Sequence, residues 1–212
     1  MQSGKLITFE GLDGCGKSTQ LEKATKWLAL QGCEVLKTQQ PGGTRIGKKI
    51  RNILLNPDHK ELHPESELLL YLSDRIQHLT ETILPAKAEG KMVLCDRFHD
   101  STVAYQGYGR GLNLKIFESI ITYSIKPYIP DLTFLLIIPP TTVVDRLNQR
   151  KEQSAKDRLD MESSRFFERT AKGYQELASA EPERFVCLDG EMGIEVIHQQ
   201  IISELHDRFS IG

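Results

Sequence analysis

The sequence predicts an α/β fold of three layers, in which a five-stranded parallel sheet lies between helices on both of its faces. Short apolar runs along the chain carry no regular alternation of polar and apolar residues, so each is predicted to be a strand covered on both sides. The predicted strands are Lys5–Phe9, Glu34–Thr38, Met92–Cys95, Leu132–Ile138 and Arg184–Leu188. Helical patterns separate these runs, and strands that alternate with helices are typical of a parallel sheet.

The helices are predicted from apolar residues that recur every three or four positions. The first, over 17–31, places Leu21, Ala24 and Leu28 on one stripe and is expected to end at Gly32. The other helices are predicted from Glu65 to Leu84, from Asn113 to just before Pro127, and at Thr141–Lys151, Asp160–Ala180 and Gly193–Phe209. Because right-handed crossovers bring the carboxyl ends of parallel strands to one edge, the active site is expected at that edge.

Length and composition predict a single domain over 1–212, since 212 residues are enough to build one substantial core. A net charge of −2 gives no reason to expect a nucleic acid or an anionic membrane surface as a partner. The four cysteines show no metal-ligand spacing and are predicted to be reduced thiols. With no signal-like N-terminus and no apolar run of membrane-spanning length, we expect a cytoplasmic protein.

A glycine-rich motif directly follows the first strand and precedes the first helix. It has the pattern G-x-x-x-x-G-K-[ST], whose backbone amides cradle the phosphates of a nucleoside triphosphate. The residues predicted to bind ATP are Gly11, Leu12, Asp13, Gly14, Cys15, Gly16, Lys17, Ser18 and Thr19. Lys17 is expected to bridge the β- and γ-phosphates, and the hydroxyl of Ser18 to ligate Mg²⁺.

Charged residues stand beside this motif and after the third strand. A carboxylate next to a triphosphate is unfavourable unless it serves another substrate or a metal, so Asp13 is interpreted as the acceptor for a sugar hydroxyl. The alternative is an ordinary solvated loop residue. Asp96 and Arg97 follow the third strand, where Asp96 is suited to hold Mg²⁺ or its water and Arg97 to clamp a phosphate. A structural salt bridge is the alternative for this pair.

The second predicted helix, from Glu65 to Leu84, carries Tyr71, Arg75 and His78 on one stripe. The pattern alone favours a solvated face with a partly buried tyrosine, and the alternative is a stripe that binds a nucleobase by stacking and hydrogen bonding. A basic cluster around Arg146, Arg150 and Arg158 is similarly open. It is either a solvated helix end or a mobile lid over 146–160 that closes over ATP.

Taken together, these motifs resemble those of the thymidylate (dTMP) kinases, a family of nucleoside monophosphate kinases with the P-loop fold. The matching stretches are Phe9 through Gln20, Pro41-Gly42-Gly43-Thr44, Tyr71 to Arg75, Asp96-Arg97-Phe98, Ser101 through Gly107, and Asp157-Arg158. The resemblance implies transfer of a phosphoryl group from ATP to dTMP, Mg²⁺ as cofactor, and a homodimer.

The resemblance also implies the roles of individual residues toward dTMP. Asp13 would hold the deoxyribose 3′-hydroxyl, while Arg51 and Arg97 would clamp the phosphate. Tyr71 would stack on thymine, and Arg75 would reach its edge. The remaining implied contacts are made by Tyr105, which would crowd the 2′ position, and by Ser101 and Gln106, which would line the base pocket.

The implied catalytic groups are Lys17, Asp13, Arg97 and an arginine of the lid. Family members differ in whether the catalytic arginine comes from the phosphate loop or from the lid, and this chain has Gly14 in the loop. The lid must therefore supply the arginine, with Arg150 preferred over Arg146 and Arg158. The chain departs from the usual family pattern at Gln39-Gln40, Tyr71 and Asp160.

Three other functions fit parts of the same pattern. A kinase for UMP, CMP or AMP would share the loop and the arginines. A P-loop switch that hydrolyses GTP normally carries an N/T-K-x-D motif, which is absent from this sequence. A kinase for a nucleoside or small metabolite would leave Arg51 and Arg97 without a phosphate to bind.

Overall fold

The computed structural model describes residues 4–113, 115, 119, 128–150 and 157–211, without the side chains of 144 and 147–150. Its centre is a sheet of five parallel strands in the order β2-β3-β1-β4-β5. The strands are β1 (Lys5–Glu10), β2 (Val35–Gln39), β3 (Met92–Asp96), β4 (Leu132–Ile137) and β5 (Phe185–Asp189). The predicted sheet is confirmed, and every strand begins and ends within one residue of its expected position.

Helices connect the strands and cover the sheet. They are α1 (Lys17–Leu30), α2 (Arg45–Leu55), α3 (Pro64–His78), α4 (Leu84–Ala88), α5 (His99–Thr102), α6 (Pro140–Arg150), α7 (Ser164–Ala180) and α8 (Ile194–Phe209). The central strand β1 shows why both faces need a cover, since Leu6, Ile7 and Phe9 are all buried although they alternate between the faces.

Two π-helical turns interrupt the helices that border the active edge. Leu79–Ile83 joins α3 to α4. The single helix predicted over 65–84 is therefore an α-helix followed by a π-helical turn. The second turn, Val103–Gly109, continues α5 and packs against α7. A Cβ atom on Gly109 would lie 2.7 Å from the Thr170 hydroxyl, so only glycine permits this close approach.

The sequence analysis missed two helical regions, and a third helix that it predicts lies mostly outside the described residues. Helix α2 was not predicted; it begins at Arg45 and is capped by Thr44, whose hydroxyl accepts a hydrogen bond from the Gly47 amide at 2.9 Å. The turn Val103–Gly109 was also unexpected. Most of the helix predicted from Asn113 lies outside the described residues.

Candidate active site

The glycine-rich loop bends into an anion-binding shape at the start of α1. Gly14 and Gly16 have φ angles of +76° and +100°, values that residues with a side chain rarely adopt. The ammonium group of Lys17 donates hydrogen bonds to the carbonyl oxygens of Gly11 at 3.1 Å and Leu12 at 2.8 Å. A buried lysine is thereby held beside the amino end of a helix, where the N–H groups and the helix dipole favour a phosphate.

Ser18 and Asp96 lie together beside this loop. The Ser18 hydroxyl donates to Asp96 Oδ2 at 2.7 Å, which brings a serine from α1 next to a carboxylate at the end of β3. Both groups offer the hard oxygen ligands that Mg²⁺ prefers. No cluster of three or more His, Cys, Asp or Glu side chains suited to a metal occurs in the described parts of the chain. This donor set therefore fits an ion that is completed by substrate phosphates and water.

Arg97 is the most heavily bonded side chain of the site. Its Nη2 atom donates to Asp13 Oδ1 at 2.8 Å and to the Tyr105 hydroxyl at 3.1 Å. Its Nη1 atom donates to the hydroxyls of Ser101 at 3.0 Å and Tyr174 at 3.1 Å. The residue has a φ of 65°, an uncommon conformation for a residue with a side chain. The backbone and four partners thus fix the guanidinium at the sheet edge.

Two residues of this network, Glu10 and Tyr174, were not predicted from the sequence. Glu10 accepts hydrogen bonds from the Phe98 amide at 2.7 Å and from the hydroxyls of Ser101 at 2.5 Å and Tyr174 at 2.9 Å. Burial, together with the charge of Asp100, raises the pKa of Glu10. Only the position of Glu10 at the end of β1 signalled its role, and nothing local distinguishes Tyr174 from the other tyrosines.

Asp13 is held in its ionised form by its neighbours. Burial alone would raise its pKa, but the charges of Arg97 and Lys17 and the hydrogen bond from Tyr105 hold the pKa of Asp13 well below its usual range. The Tyr105 hydroxyl donates to Asp13 Oδ2 at 2.9 Å. The interpretation of Asp13 as a solvated loop residue is therefore wrong, because its carboxylate is built into the site.

Two adjoining cavities open at this edge of the sheet. The first, called the loop cavity, is lined by Lys17, Ser18, Thr19 and Asp96 among others. The second, called the inner cavity, is lined by Tyr71, Arg75, Ser101, Tyr105 and Gln106 among others. One set of residues lines both cavities and is called the shared wall: Asp13, Gln40, Arg51, Arg97 and Asp157. The two predicted phosphate-binding arginines thus stand where the cavities meet.

Arg75 is one of the residues that line the inner cavity, and it has no exposed surface. Its Nε atom donates to Gln40 Oε1 at 2.9 Å, and Nη2 donates to the Phe98 carbonyl at 3.2 Å and to the Thr102 hydroxyl. Its Nη1 atom is sealed from solvent and has no hydrogen-bond partner among the described residues. Burial lowers the pKa of Arg75 to about 10, so the group stays charged at neutral pH.

The stripe of α3 is buried, which makes its interpretation as a solvated face wrong. Tyr71, Arg75 and His78 are all buried, together with two carboxylates that the sequence did not single out, Glu67 and Asp74. The Tyr71 hydroxyl makes no hydrogen bond within the described ranges. The carboxylate of Glu67 accepts a hydrogen bond from Gln106 at Oε1, at 2.7 Å. His78 lies under the Pro41–Thr44 loop rather than in the inner cavity, since a Cβ on Gly43 would lie 2.2 Å from its ring.

The three candidate lid arginines occupy different surroundings. Arg146 donates to the carbonyl of Gly14 at 2.7 Å and to that of Gly190 at 3.5 Å, so it braces the phosphate loop. Arg158 is buried, donates to the Leu54 carbonyl at 2.8 Å and forms an ion pair with Glu67. The side chain of Arg150 and the whole of 151–156 lie outside the described residues.

The departures at Gln40 and Asp160 have clear local partners. Gln40 Oε1 accepts from Arg75, while its Nε2 donates to Asp74 Oδ2 at 3.3 Å. Asp160 Oδ2 accepts from the Asp157 amide at 3.1 Å within a turn. Gln40 therefore places a neutral side chain between buried Arg75 and Asp74, and Asp160 shapes the chain next to the shared wall.

A five-stranded parallel sheet with this loop, a hydroxyl–carboxylate pair and a second cavity lined with arginines defines a nucleotide-dependent phosphotransferase of the P-loop class. Comparison with known proteins narrows this class. Residues 9–201 match the family model described as thymidylate kinase. The chain belongs to the thymidylate kinase family, and it is an ATP-dependent nucleoside monophosphate kinase.

Individual relatives are similar to this protein over nearly the whole length of the chain. A thymidylate kinase of Chlorobium luteolum is 41% identical over 210 residues, covering 96% of this chain and 98% of its own. One from Pelotomaculum thermopropionicum is 42% identical over 212 residues, covering 99% and 97%. The crystal structure of thymidylate kinase from Ehrlichia chaffeensis superposes with a TM-score of 0.78 at 29% identity, covering 96% of this chain and 99% of that one.

The helices also bear on membrane association. Among the residues that the structure describes, no helix combines the length and the apolar character needed to cross a bilayer.

Proposed function

We propose that the chain transfers the γ-phosphoryl group of ATP to dTMP, giving ADP and dTDP. A phosphate oxygen of dTMP forms a bond to the γ-phosphorus, and the bond from that phosphorus to the β,γ-bridging oxygen breaks. The observation that carries this proposal is the inner cavity, which adjoins the phosphate loop and is lined by Arg75, a buried and charged donor. Such a donor is costly unless a ligand supplies an acceptor, and O4 of thymine is one.

The inner cavity is proposed to hold the thymidine part of dTMP. Tyr71 would stack on the base, while Ser101 and Gln106 line the pocket around it. Tyr105 would occupy the space beside the sugar 2′ position and so disfavour ribonucleotides. Asp13 would accept the 3′-hydroxyl, a role supported by its ionised carboxylate, which retains accepting capacity beyond its two bonds.

The shared wall is proposed to hold the phosphate of dTMP, clamped by Arg51 and Arg97. Arg51 now donates to the Pro41 carbonyl at 2.9 Å, a bond that it can exchange for a phosphate oxygen. Lys17 would contact the donor phosphates from the loop side. Phosphoryl transfer needs alignment of the attacking and leaving oxygens and positive charge around the transferred group, and these cations supply that charge.

Mg²⁺ is the proposed cofactor, with Ser18 and Asp96 as the residues that would hold it or its water. The ion would neutralise charge on the donor phosphates. The protein's own part is to hold the hydroxyl and the carboxylate together at 2.7 Å, which prepares one side of the binding site.

Arg150 is proposed as the arginine that stabilises the transferring phosphoryl group, from a mobile lid over 146–160 of the single domain 1–212. Arg146 and Arg158 are already engaged, one by the carbonyls of Gly14 and Gly190 and the other by Glu67. We therefore propose Arg150, and not Arg158, as the catalytic arginine, although the motif Asp157-Arg158 made Arg158 a candidate.

A homodimer and a cytoplasmic location complete the proposal. All four cysteines are free thiols, as a reducing compartment favours. A second copy of the chain is the expected partner of the outer face of α3, where Leu69 and Ile76 stand seven positions apart and are 56% and 47% exposed. Sedimentation analysis of the wild type and of Leu69→Glu tests the dimer.

A panel of acceptors tests the proposed reaction. ADP formation is measured with dTMP, dUMP, UMP, CMP and AMP in parallel, with and without Mg²⁺. We expect the highest kcat/KM for dTMP and no turnover without the metal. Preference for a ribonucleotide, or ATP hydrolysis that ignores every monophosphate, would contradict the proposal.

A further inference from the structure

We infer that Glu67 is a specificity-determining residue, because it orients the amide of Gln106 so that the amide oxygen, and not the NH₂ group, faces the base in the inner cavity. The inference rests on the proposed function, since it concerns how the same site selects its pyrimidine. Glu67 acts through Gln106 and is therefore a positioning residue.

The geometry begins at a buried carboxylate on α3. Glu67 has no exposed surface, and its Oε1 atom accepts a hydrogen bond from Gln106 Nε2 at 2.7 Å. Gln106 itself is buried and lines the inner cavity. Its Oε1 atom makes no hydrogen bond within the described part of the chain. One end of the amide is thus fixed and the other is available.

Two arginines keep Glu67 ionised. Arg110 donates to it from Nε at 3.2 Å and from Nη2 at 3.0 Å, and Arg158 forms a second ion pair. Burial by itself would raise the pKa of Glu67, but the hydrogen bonds and charges of these arginines, with the bond from Gln106, hold it below its usual range. An ionised carboxylate only accepts hydrogen bonds. Gln106 must therefore turn its NH₂ group toward Glu67.

The fixed amide gives the cavity a defined pattern of donor and acceptor. Arg75 and Gln106 both line the cavity, Arg75 as a charged donor and Gln106 with an Oε1 atom that accepts no hydrogen bond from the described residues. Thymine and uracil present the complement, an accepting O4 beside a donating N3–H. Cytosine presents the opposite pattern, a donating 4-amino group beside an accepting N3. Cytosine would need the NH₂ group of Gln106 to face the cavity, and Glu67 prevents that orientation. A carboxylate that does not touch the base thus selects against cytosine.

The substitution Glu67→Gln tests this inference, because it keeps the volume and shape but offers both an acceptor and a donor to Gln106. Two ratios of kcat/KM are measured for the wild type and the variant. The ratio of dTMP to 5-methyl-dCMP reports the base edge, since the two bases differ only at position 4 and N3. The ratio of dTMP to dUMP reports the space around the 5-methyl group.

We expect Glu67→Gln to lower the ratio of dTMP to 5-methyl-dCMP by about tenfold and to change the ratio of dTMP to dUMP by less than about twofold. A general loosening of the pocket would lower both ratios together, which would overturn the inference. An unchanged first ratio in a folded variant would overturn it as well. Failure of the wild type to phosphorylate dTMP would instead refute the proposed function.

A double-mutant cycle with Gln106→Leu tests the route of the effect. Glu67→Gln is expected to leave the first ratio unchanged when Gln106 is already absent. An equal drop in that background would show that Glu67 does not act through Gln106.

Loss of the carboxylate leaves two arginines short of a partner, so folding is checked by circular dichroism. Where the single variant does not fold, Glu67→Gln is made together with Arg110→Met and compared with Arg110→Met alone. The same tenfold drop in the first ratio supports the inference, and its absence overturns it.

Discussion

The loop cavity and the inner cavity adjoin one another but are built in different ways. The loop cavity takes half of its lining from one contiguous stretch, 13–19, and the carbonyls of Gly11 and Leu12 just before it position Lys17. The inner cavity takes its walls from distant segments, including Gln40, α3 and the π-helical turn Val103–Gly109. Buried charges hold those segments together. The loop end is thus a local structure for chemistry, whereas the inner end is a tertiary structure for recognition.

This difference leads us to expect that substitutions at the loop end change kcat, and that substitutions at the inner end change affinity, specificity or stability. Each experiment below tests one side of that division.

Lys17→Ala is expected to have the largest effect, a loss of roughly a thousandfold in kcat, because a preorganised cation beside the transferring phosphoryl disappears. Stability should change little, since among the described residues the lysine bonds to two loop carbonyls and the Cys15 sulfur and to no other group. Steady-state kinetics and urea unfolding measure the two quantities. A variant that loses dTMP affinity but keeps its kcat would break the division.

Arg150→Ala is expected to lower kcat by roughly a hundredfold or more, with a much smaller change in the KM for dTMP, because an arginine on the transferring group acts in the transition state. Arg158→Ala is the matched comparison. Since Arg158 pairs with buried Glu67, we expect it to reduce stability and pyrimidine discrimination more than kcat. Near-full kcat in Arg150→Ala combined with a large loss in Arg146→Ala or Arg158→Ala would show that the wrong arginine has been assigned.

The same division explains what the sequence could predict. The phosphate loop was recognisable because its residues are adjacent and its glycines are required by local backbone geometry. The strands were placed to within a residue because each is a short apolar run between helical patterns, and the three central strands are buried on both faces. Helix α2 was not predicted, and its start depends on the cap at Thr44.

The residues of the inner cavity could be predicted mainly from the family resemblance. Periodicity alone placed Tyr71, Arg75 and His78 on a solvated face, because no local rule shows that a charged stripe will be buried. Glu67 and Glu10 were missed because their partners are 39 and 91 residues away along the chain, at Gln106 and Ser101. Tertiary pairing of buried charges leaves no signature in a single sequence.

Arg75→Ala is expected to weaken dTMP binding by roughly tenfold to a hundredfold, because a charged donor to the base edge is lost. Calorimetric titration with dTMP measures the change, and ATP affinity is the internal control, since Arg75 does not line the loop cavity. Unchanged dTMP affinity would remove Arg75 from the base site.

His78 provides a test of stability at the inner end. Burial lowers its pKa to about 4 from an ordinary value of 6.5, so the unfolded chain binds a proton more readily than the folded one. Its contribution is therefore complete above about pH 6.5 and is lost progressively as the pH falls toward 4. Because the group is fully buried, we expect this loss to reach about 2 kcal/mol by pH 5.

Urea unfolding of the wild type and of His78→Gln between pH 7.5 and 5 isolates this contribution. The wild type should lose about 2 kcal/mol more than the variant over that interval, since the acidic groups titrate in both proteins. His99, whose pKa burial also lowers to about 4 despite the nearby Asp100, adds a similar loss that the two proteins share. Parallel curves would mean that His78 is not buried in its neutral form.

Tyr71→Phe is expected to have the smallest effect, a change of less than about threefold in dTMP affinity. Its ring provides the stacking surface, and its hydroxyl has no hydrogen-bond partner among the described residues, so little is lost when the hydroxyl is removed. Tyr71→Ala is the contrast, since it removes the ring and should cost at least tenfold. A large loss in Tyr71→Phe would instead identify the hydroxyl as a contact to the nucleotide, and the inner end would then recognise its ligand with one more polar group than Arg75 and Gln106 supply.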